Sequence, residues 1–198
     1  MLEKLKNEYF KYFSPLYAER NAAMKARNYR EVKGAPYTRT KYIHGSPQAK
    51  IMKFTMGDSS SSYEYEVSLV SDKRVQIRHN ALEAARVVVN HELQTRLGNN
   101  FHMRVLPLPH VILRENKMIF GAHADRLQDG MRKAFGKPVG RAARVEPGQS
   151  IIKTYVNENG IEAAKIALKR GKDKLPTTCK IVMHKIEKSN VEVKKVVN

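Results

Sequence analysis

The stretch NALEAARVVVNHELQTRLG, residues 80–98, decides the fold because it carries the clearest periodicity in the chain. Its apolar side chains recur at the three- and four-residue spacing that places them on one face of a helix. They are Leu82, Ala85, Val89, Leu93 and Leu97. Asn80 can serve as the N-cap with Glu83 as its capping-box partner, and Gly98 provides a left-handed stop. This pattern predicts a core helix over residues 80–97.

Strand-like segments lie on both sides of this helix. Alternating or short apolar runs bounded by turn residues cover 49–56, 63–70, 101–108, 111–115, 150–156 and 179–186. The sequence GDSSSS, residues 57–62, predicts the turn between the first two strands. A second helix is predicted over 161–170, with Ile161, Ala164 and Leu168 facing inward and Gly171 at its end. This order of elements predicts an α+β two-layer sandwich in which two main helices pack on a mixed β-sheet.

The charge of the chain points to a polyanionic partner. Its 37 Lys and Arg residues exceed its 19 Asp and Glu residues, for a formal net charge of +18. Residues 1–50 hold 11 basic and 4 acidic residues, whereas residues 51–100 hold 6 of each, so a neutral core segment lies between basic ones. A protein this basic repels itself unless a polyanion neutralises it. Nucleic acid is the predicted partner, and an anionic membrane surface is the alternative.

Two segments near the N-terminus differ in character. Residues 1–23 carry apolar side chains at helical spacing up to Pro15, which predicts a short helix packed on its own domain or on a neighbour. A membrane-surface anchor is a poorer interpretation, because Glu3 and Glu8 dilute its basic face. Residues 25–41 interleave cations, which neutralise phosphates, with tyrosines, whose rings stack on exposed bases. The predicted RNA-binding residues are Lys25, Arg27, Tyr29, Arg30, Lys33, Tyr37, Arg39 and Lys41.

Residues 121–144, GAHADRLQDGMRKAFGKPVGRAAR, predict a long internal loop. They contain four glycines and six basic residues against two acidic ones. Glycines allow the backbone to approach another surface closely, and long loops in small domains are usually functional or disordered. The stretch therefore predicts an extended loop that becomes ordered when it binds RNA. The alternative is a mobile, solvated loop. Its predicted contact residues are Arg126, Gln128, Arg132, Lys133, Lys137 and Arg141.

The residues do not support catalytic or metal chemistry. Cys179 is the only cysteine, which excludes an internal disulfide and a four-cysteine zinc site. The seven histidines include no helical pair four apart and no Cys/His cluster. A P-loop interpretation fails because five residues separate Gly130 from Gly136 and Pro138 replaces the required hydroxyl. We therefore expect no catalytic residue, no metal and no cofactor. With no apolar run of about 18 residues and no signal-peptide pattern, we also expect a soluble cytoplasmic protein.

Several stretches resemble one known family in the order in which that family has them. They are KARNYREVKGAPYTRTKYIHGSPQAKI, ALEAARVVVN, FHMRVLPLPHVILRENKM and AHADRLQDGMRKAFGKPVGRAARVEPGQSI. The family is the archaeal and eukaryotic large-subunit ribosomal protein ten-e, whose bacterial counterpart is large-subunit protein sixteen. The bacterial proteins share the turn found here over 143–149. The resemblance runs from about Lys25 to about Ile186.

The resemblance implies a structural constituent of the large ribosomal subunit rather than an enzyme. It implies binding to rRNA near the peptidyl transferase centre, with the basic segment 25–41 entering rRNA. The loop over about 122–132 would point toward that centre and help position aminoacyl-tRNA. Implied partners are large-subunit rRNA, the tRNA acceptor arm, neighbouring large-subunit proteins and late assembly factors, in the cytoplasm and with no membrane.

Members of the family usually begin near the position of Met24 in this chain. This suggests a division of the chain into three parts. Residues 1–23 would be an N-terminal extension, 24–188 an rRNA-binding domain and 189–198 a tail. Composition alone leaves two other functions open. One is a ribosome-assembly or tRNA-binding factor that only visits ribosomes, and the other is an RNA-processing enzyme with a basic substrate channel. An enzyme would need a convergent acid–base or metal set, and the residues suggest none.

Overall fold

Two helices and eight strands organise the chain in a computed structural model that describes residues 26–116, 132 and 134–186. In chain order the elements are β1 Thr55–Gly57, β2 Tyr65–Ser71, β3 Val75–Arg78, α1 His79–Leu97, β4 His102–Val105, β5 Val111–Glu115, β6 Lys137–Val145, β7 Ser150–Val156, α2 Ile161–Lys172 and β8 Cys179–Lys185. Short 3-10 helices occupy Ala26–Tyr29, Thr40–Tyr42 and Glu158–Gly160.

The strands divide between two sheets. Five strands pair in the order β1-β4-β7-β2-β8, and three pair in the order β3-β6-β5. Each of these pairings is antiparallel. The predicted α+β class with two main helices packed on sheet is confirmed. Where the sequence predicts one mixed sheet, the described strands form two antiparallel ones.

The core lies between the helices and the two sheets. Helix α1 contacts α2 and strands β3 and β6, while α2 also contacts β2, β7 and β8. Leu69 on β2, Leu93 on α1 and Leu168 on α2 are fully buried members of one apolar cluster. Burying a side chain of this size contributes about 1.5–3 kcal/mol relative to leaving it exposed. The predicted core faces of both helices are confirmed by this packing, because Ala164 and Leu168 are buried and Ile161 packs against the cluster.

The predicted capping of the first helix is wrong at its N-terminus and right at its C-terminus. Helix α1 begins at His79, and its N-cap is Arg78, which makes no side-chain cap hydrogen bond. Glu83 pairs with Arg86 on the next turn instead of reaching back to Asn80. Gly98 does end the helix with φ of +62° and donates from its backbone N–H to Gln94 O at 3.0 Å. The predicted capping box is therefore not formed.

Gly171 lies inside α2 rather than ending it, because α2 continues to Lys172. A Cβ atom at this position would lie 2.4 Å from Cγ2 of Val89 on α1. Real Cβ atoms do not approach other carbons this closely, so the two helices need a glycine where they meet. The glycine that the sequence suggests as a stop signal is thus a packing residue.

The predicted loop over 121–144 is wrong over its last eight residues, since Lys137–Val145 form β6 between β3 and β5. Gly140 is buried there, opposite Leu113, and its ideal Cβ position lies 3.3 Å from Nε2 of His79. The glycine leaves room for the imidazole instead of giving freedom to a loop. The sequence also misses β3, while the predicted strand over 49–56 is reduced to β1 near its end.

Candidate nucleic-acid interface

Residues 26–43, here called the N-terminal segment, are attached to the three-stranded sheet. The backbone N–H of Gln76 donates to Arg30 O at 2.8 Å, and that of Ile112 donates to Tyr37 O at 2.8 Å. The Gln76 side chain adds a hydrogen bond of 3.0 Å to Tyr29 O. Strands β3 and β5 therefore bind the segment through its own backbone, at two separated points.

Apolar anchors and exposed cations occupy different sides of this segment. Tyr29 packs with Leu113 and Ala142 of the sheet, and Ile43 is also buried. The predicted RNA-binding cations of the segment are exposed: Arg27, Arg30, Lys33, Arg39 and Lys41. Lys33 pairs with Glu31 at 2.9 Å, whereas Arg27, Arg30 and Arg39 form no ion pair within the part of the chain that the structure describes. The segment thus presents uncompensated positive charge on a fixed backbone.

The predicted tyrosines of this segment separate into two kinds. The Tyr29 side chain is only 9% exposed, so its ring is part of the core and offers no free face to a base. Burial, followed by the charge of Glu115, raises the pKa of its hydroxyl to about 12. Tyr37 is 50% exposed and can offer a ring face to a partner. Of the two tyrosines, the structure leaves only Tyr37 available for stacking.

Basic side chains from distant parts of the chain surround Arg30. A cavity of about 500 Å³ is lined by Arg30, Lys73 and Arg74, and one of about 280 Å³ by Arg30, Arg78 and Lys174. Only Arg74 among these has an ion-pair partner among the described residues, Glu146 at 3.0 Å. The sequence prediction misses these cations because three lie in the neutral block 51–100 and Lys174 follows α2. Only the turn preceding β3, where Lys73 and Arg74 are adjacent, offers a local signal.

The predicted contact residues of the internal loop differ in their exposure to solvent, and some lie outside the described residues. Arg126, Gln128 and Lys133 lie outside the described residues, as does Lys25 of the predicted RNA-binding segment, and Arg132 is exposed. Lys137 is exposed at the start of β6, where it is opposite Glu115. Arg141 is only partly exposed on β6, its Nε atom is buried, and its charge helps to lower the pKa of His79. On β6, Arg141 is paired with Ile112, whose backbone N–H donates to Tyr37 O of the N-terminal segment.

An aromatic cluster joins the N-terminal segment to the residues just before β6. The Arg114 guanidinium carbon lies 4.3 Å from the Tyr37 ring centroid and 3.1 Å from the Phe135 ring centroid. Phe135 is 72% exposed, which is unusual for a phenylalanine and leaves much of its ring open to solvent. We call Tyr37, Arg114 and Phe135 the aromatic cluster. It lies beside a cavity of about 320 Å³ between the segment and β5.

The described residues show no group of three or more His, Cys, Asp or Glu side chains that could hold a metal ion. Cys179 is buried, and burial raises the pKa of its thiol to about 11, so it is protonated and a poor nucleophile at neutral pH. Within the same residues, neither helix is both long and apolar enough to cross a bilayer. The chemistry offered by the surface is therefore cationic and aromatic.

The family model described as ribosomal protein L16p/L10e matches residues 32–182. The chain belongs to this family. Its relatives include proteins named large ribosomal subunit protein uL16. The Hyperthermus butylicus protein is 54% identical over 149 residues, covering 75% of this chain and 83% of the relative. The Staphylothermus marinus protein is 51% identical and the Methanoculleus marisnigri protein 48% identical, each over 158 residues, covering 79% of this chain and 91% and 93% of the relatives.

Membership in the L16p/L10e family confirms the resemblance seen in the sequence. The chain is a large-subunit ribosomal protein of the archaeal type and not an enzyme. The matched region includes the N-terminal segment from residue 32, both sheets and both helices. Membership in the family implies association with rRNA and with other ribosomal proteins.

Proposed function

We propose that this protein binds large-subunit rRNA through its N-terminal segment, near the peptidyl transferase centre, and helps to position aminoacyl-tRNA. The observation that carries the rRNA part is that the backbone of the segment is fixed to the sheet while its cations face solvent. A prearranged set of charges loses less conformational entropy on binding than a free tail does. The charges can thus act as one surface toward a phosphate backbone.

Arg27, Arg30 and Arg39 are the proposed phosphate ligands of the segment. Each is exposed and lacks an acidic partner among the described residues. Arginine can donate two parallel hydrogen bonds to one phosphate, which makes its contacts directional. Lys73, Arg78 and Lys174 extend this surface around Arg30, so the proposed interface includes both the segment and the sheet beneath it.

The tRNA part of the proposal rests on the family resemblance of the internal stretch 122–132. The proposed contacts near the peptidyl transferase centre are those predicted for the whole internal loop: Arg126, Gln128, Arg132, Lys133, Lys137 and Arg141. The proposed partners also include neighbouring large-subunit proteins and late assembly factors, and the proposed location is the cytoplasm. Removing residues 126–132 should leave the domain folded and slow aminoacyl-tRNA accommodation on ribosomes carrying the variant. Normal accommodation on fully assembled variant ribosomes would refute this part.

A salt titration tests the rRNA part. The affinity of the full chain for transcribed large-subunit rRNA is measured over a range of salt concentrations. The slope of log affinity against log salt is about −0.7 to −0.9 per neutralised phosphate. The combined change Arg27→Ala, Arg30→Ala and Arg39→Ala should therefore flatten the slope by roughly two to three units.

The matched control replaces three exposed lysines on other surfaces, through Lys53→Ala, Lys165→Ala and Lys169→Ala. It changes the net charge by the same amount at other surfaces. We expect this variant to keep the slope of the unaltered protein to within about one unit. Equal flattening by both variants would mean that binding follows net charge alone, and an unchanged slope in the first would remove the segment from the interface.

A further inference from the structure

The cavity beside the aromatic cluster contains polar groups that have no hydrogen-bond partner among the described residues. Tyr29, which is only 9% exposed, lines it, and its buried hydroxyl has no hydrogen-bond partner in the part of the chain that the structure describes. Arg114 also lines it, and its buried Nε and Nη1 atoms likewise find no partner within residues 26–116, 132 and 134–186. A buried polar group without a partner costs free energy, and such groups in a native protein call for a water, an ion or a ligand. The cavity therefore has hydrogen-bond donors available, beside the carboxylates of Glu31 and Glu115, which also line it.

The cluster at the mouth of this cavity has the composition of a stacking site. The Arg114 guanidinium lies over both the Tyr37 and the Phe135 ring, and both rings remain at least half exposed. Unpaired nucleobases stack on aromatic rings and on guanidinium planes, whereas bases inside a duplex cannot. A volume of about 320 Å³ lies at the lower end of the range of small-molecule sites, about 300–1,000 Å³. It is large enough for one base and too small for a folded peptide.

We infer that the aromatic cluster and its cavity take one unpaired nucleobase of RNA. The base stacks on the cluster and its carbonyl or ring-nitrogen acceptors meet the donors of Tyr29 and Arg114. This inference rests on the proposed function, because it adds a base-specific contact to an interface otherwise made of phosphate contacts.

Tryptophan fluorescence tests the stacking directly, because the chain has no tryptophan of its own. The variant Phe135→Trp places one reporter in the cluster, and Met52→Trp places one at a residue that is 79% exposed and outside the cavity. Each full-length variant is titrated with a single-stranded oligouridylate and with an abasic oligonucleotide of the same length and charge. We expect oligouridylate to quench only the reporter at 135 and the abasic strand to quench neither. Equal quenching of the reporter at 135 by both strands would overturn the inference.

An affinity measurement separates stacking from charge. Phe135→Leu should weaken oligouridylate binding by about 5- to 150-fold, the range for loss of one base–aromatic stack. Arg114→Lys keeps the charge but loses the planar group, so it should also weaken oligouridylate and leave the abasic strand unaffected. The control Met52→Leu should change neither affinity, and thermal unfolding checks that each variant is folded. If oligouridylate binds with its full salt slope but Phe135→Leu has no effect, the base site is refuted and the proposed rRNA binding stands. If neither strand binds, the proposed function fails as well.

Discussion

The Arg144 guanidinium and the Gly34 carbonyl oxygen, 110 positions apart in the chain, are joined by a hydrogen bond of 3.0 Å. The same guanidinium donates to Lys33 O at 3.2 Å and to Oε1 of Gln76 at 3.3 Å. Gly34 has φ of +59°, so the segment turns at the point that Arg144 holds. Arg144 is therefore a positioning residue, whose charge is directed at protein carbonyls.

We expect Arg144→Ala to loosen the N-terminal segment without unfolding the domain. The lost hydrogen bonds are partly exposed, so the free energy of unfolding should fall by about 1–2 kcal/mol. Hydrogen exchange should become faster at the amides of Gln76 and Ile112, which donate to the segment. Arg104→Ala, on the other sheet, is the control and should leave both amides unchanged. Unaltered exchange in Arg144→Ala would show that the segment is held without this side chain.

The close packing of Gly171 against Val89 predicts that Gly171→Ala destabilises the protein, although alanine is normally favourable in a helix. Replacing an interior glycine by alanine usually stabilises a helix by about 0.5–1 kcal/mol. Here the added methyl would meet a stiff, fully buried valine, and overpacking of this kind costs about 1–3 kcal/mol. We expect Gly171→Ala to lower the urea midpoint. Adding Val89→Ala should cost less in the Gly171→Ala background than in the unaltered protein, and strictly additive effects in this double-mutant cycle would contradict the contact.

The sequence predicts those elements whose apolar side chains repeat at one regular spacing. Leu82, Val89 and Leu93 repeat at helical spacing, and that repeat alone places the buried face of α1. It does not predict β6, because the glycine and arginines of that strand look like loop residues until His79 is packed beside Gly140. It does not predict β3, because the four residues of Val75–Arg78 are too few to show an alternation. The missing information in both cases is a tertiary contact.

The candidate site was predictable in its composition and not in its geometry. Cations and tyrosines in 25–41 indicate RNA, and the exposure of Arg27, Arg30 and Arg39 agrees with that interpretation. Nothing local distinguishes Tyr29, which is buried, from Tyr37, which is half exposed, because the difference depends on Leu113 and Ala142 of the sheet. The neighbours of Arg30 could not be predicted either, since they reach it only through the fold.

A buried carboxylate predicts a further stability effect at the junction of the two helices. Glu92 on α1 is only 7% exposed and accepts hydrogen bonds from Arg170 on α2 and, at 3.3 Å, from Arg96 on its own helix. Glu92→Gln preserves the shape of the side chain and removes the negative charge to which both arginines donate hydrogen bonds. Because hydrogen bonds to charged groups contribute about 1.5–3 kcal/mol, we expect the free energy of unfolding to fall by about 1–3 kcal/mol. Glu162→Gln, an exposed change on α2, should have little effect, and a similarly small effect at Glu92 would rule out a stabilising network.

The environment of His79 predicts that the free energy of unfolding depends on pH. Its Nδ1 atom accepts a hydrogen bond of 2.8 Å from the backbone N–H of Lys50, so protonation of Nδ1 would remove that acceptor. Burial is the main cause that lowers the pKa of His79 in the folded protein, and the positive charges of Lys50, Arg78 and Arg141 lower it further. A histidine whose pKa is lower folded than unfolded binds more protons in the unfolded state. Stability should therefore fall as pH drops from the ordinary histidine pKa of about 6.5 toward the lower folded value.

The variant His79→Asn tests this dependence, because its Oδ1 atom can take the place of Nδ1 as acceptor but cannot titrate. Urea unfolding is measured at intervals between about pH 7.5 and pH 5, where histidine changes its charge. The unaltered protein should lose stability more steeply than the variant as the pH falls, by no more than about 1.4 kcal/mol per pH unit for one proton. Other titrating groups contribute equally to both proteins and cancel in the difference. Parallel curves would show that the pKa of His79 is the same in the folded and unfolded chains, and a variant with the steeper curve would reverse the sign argued here.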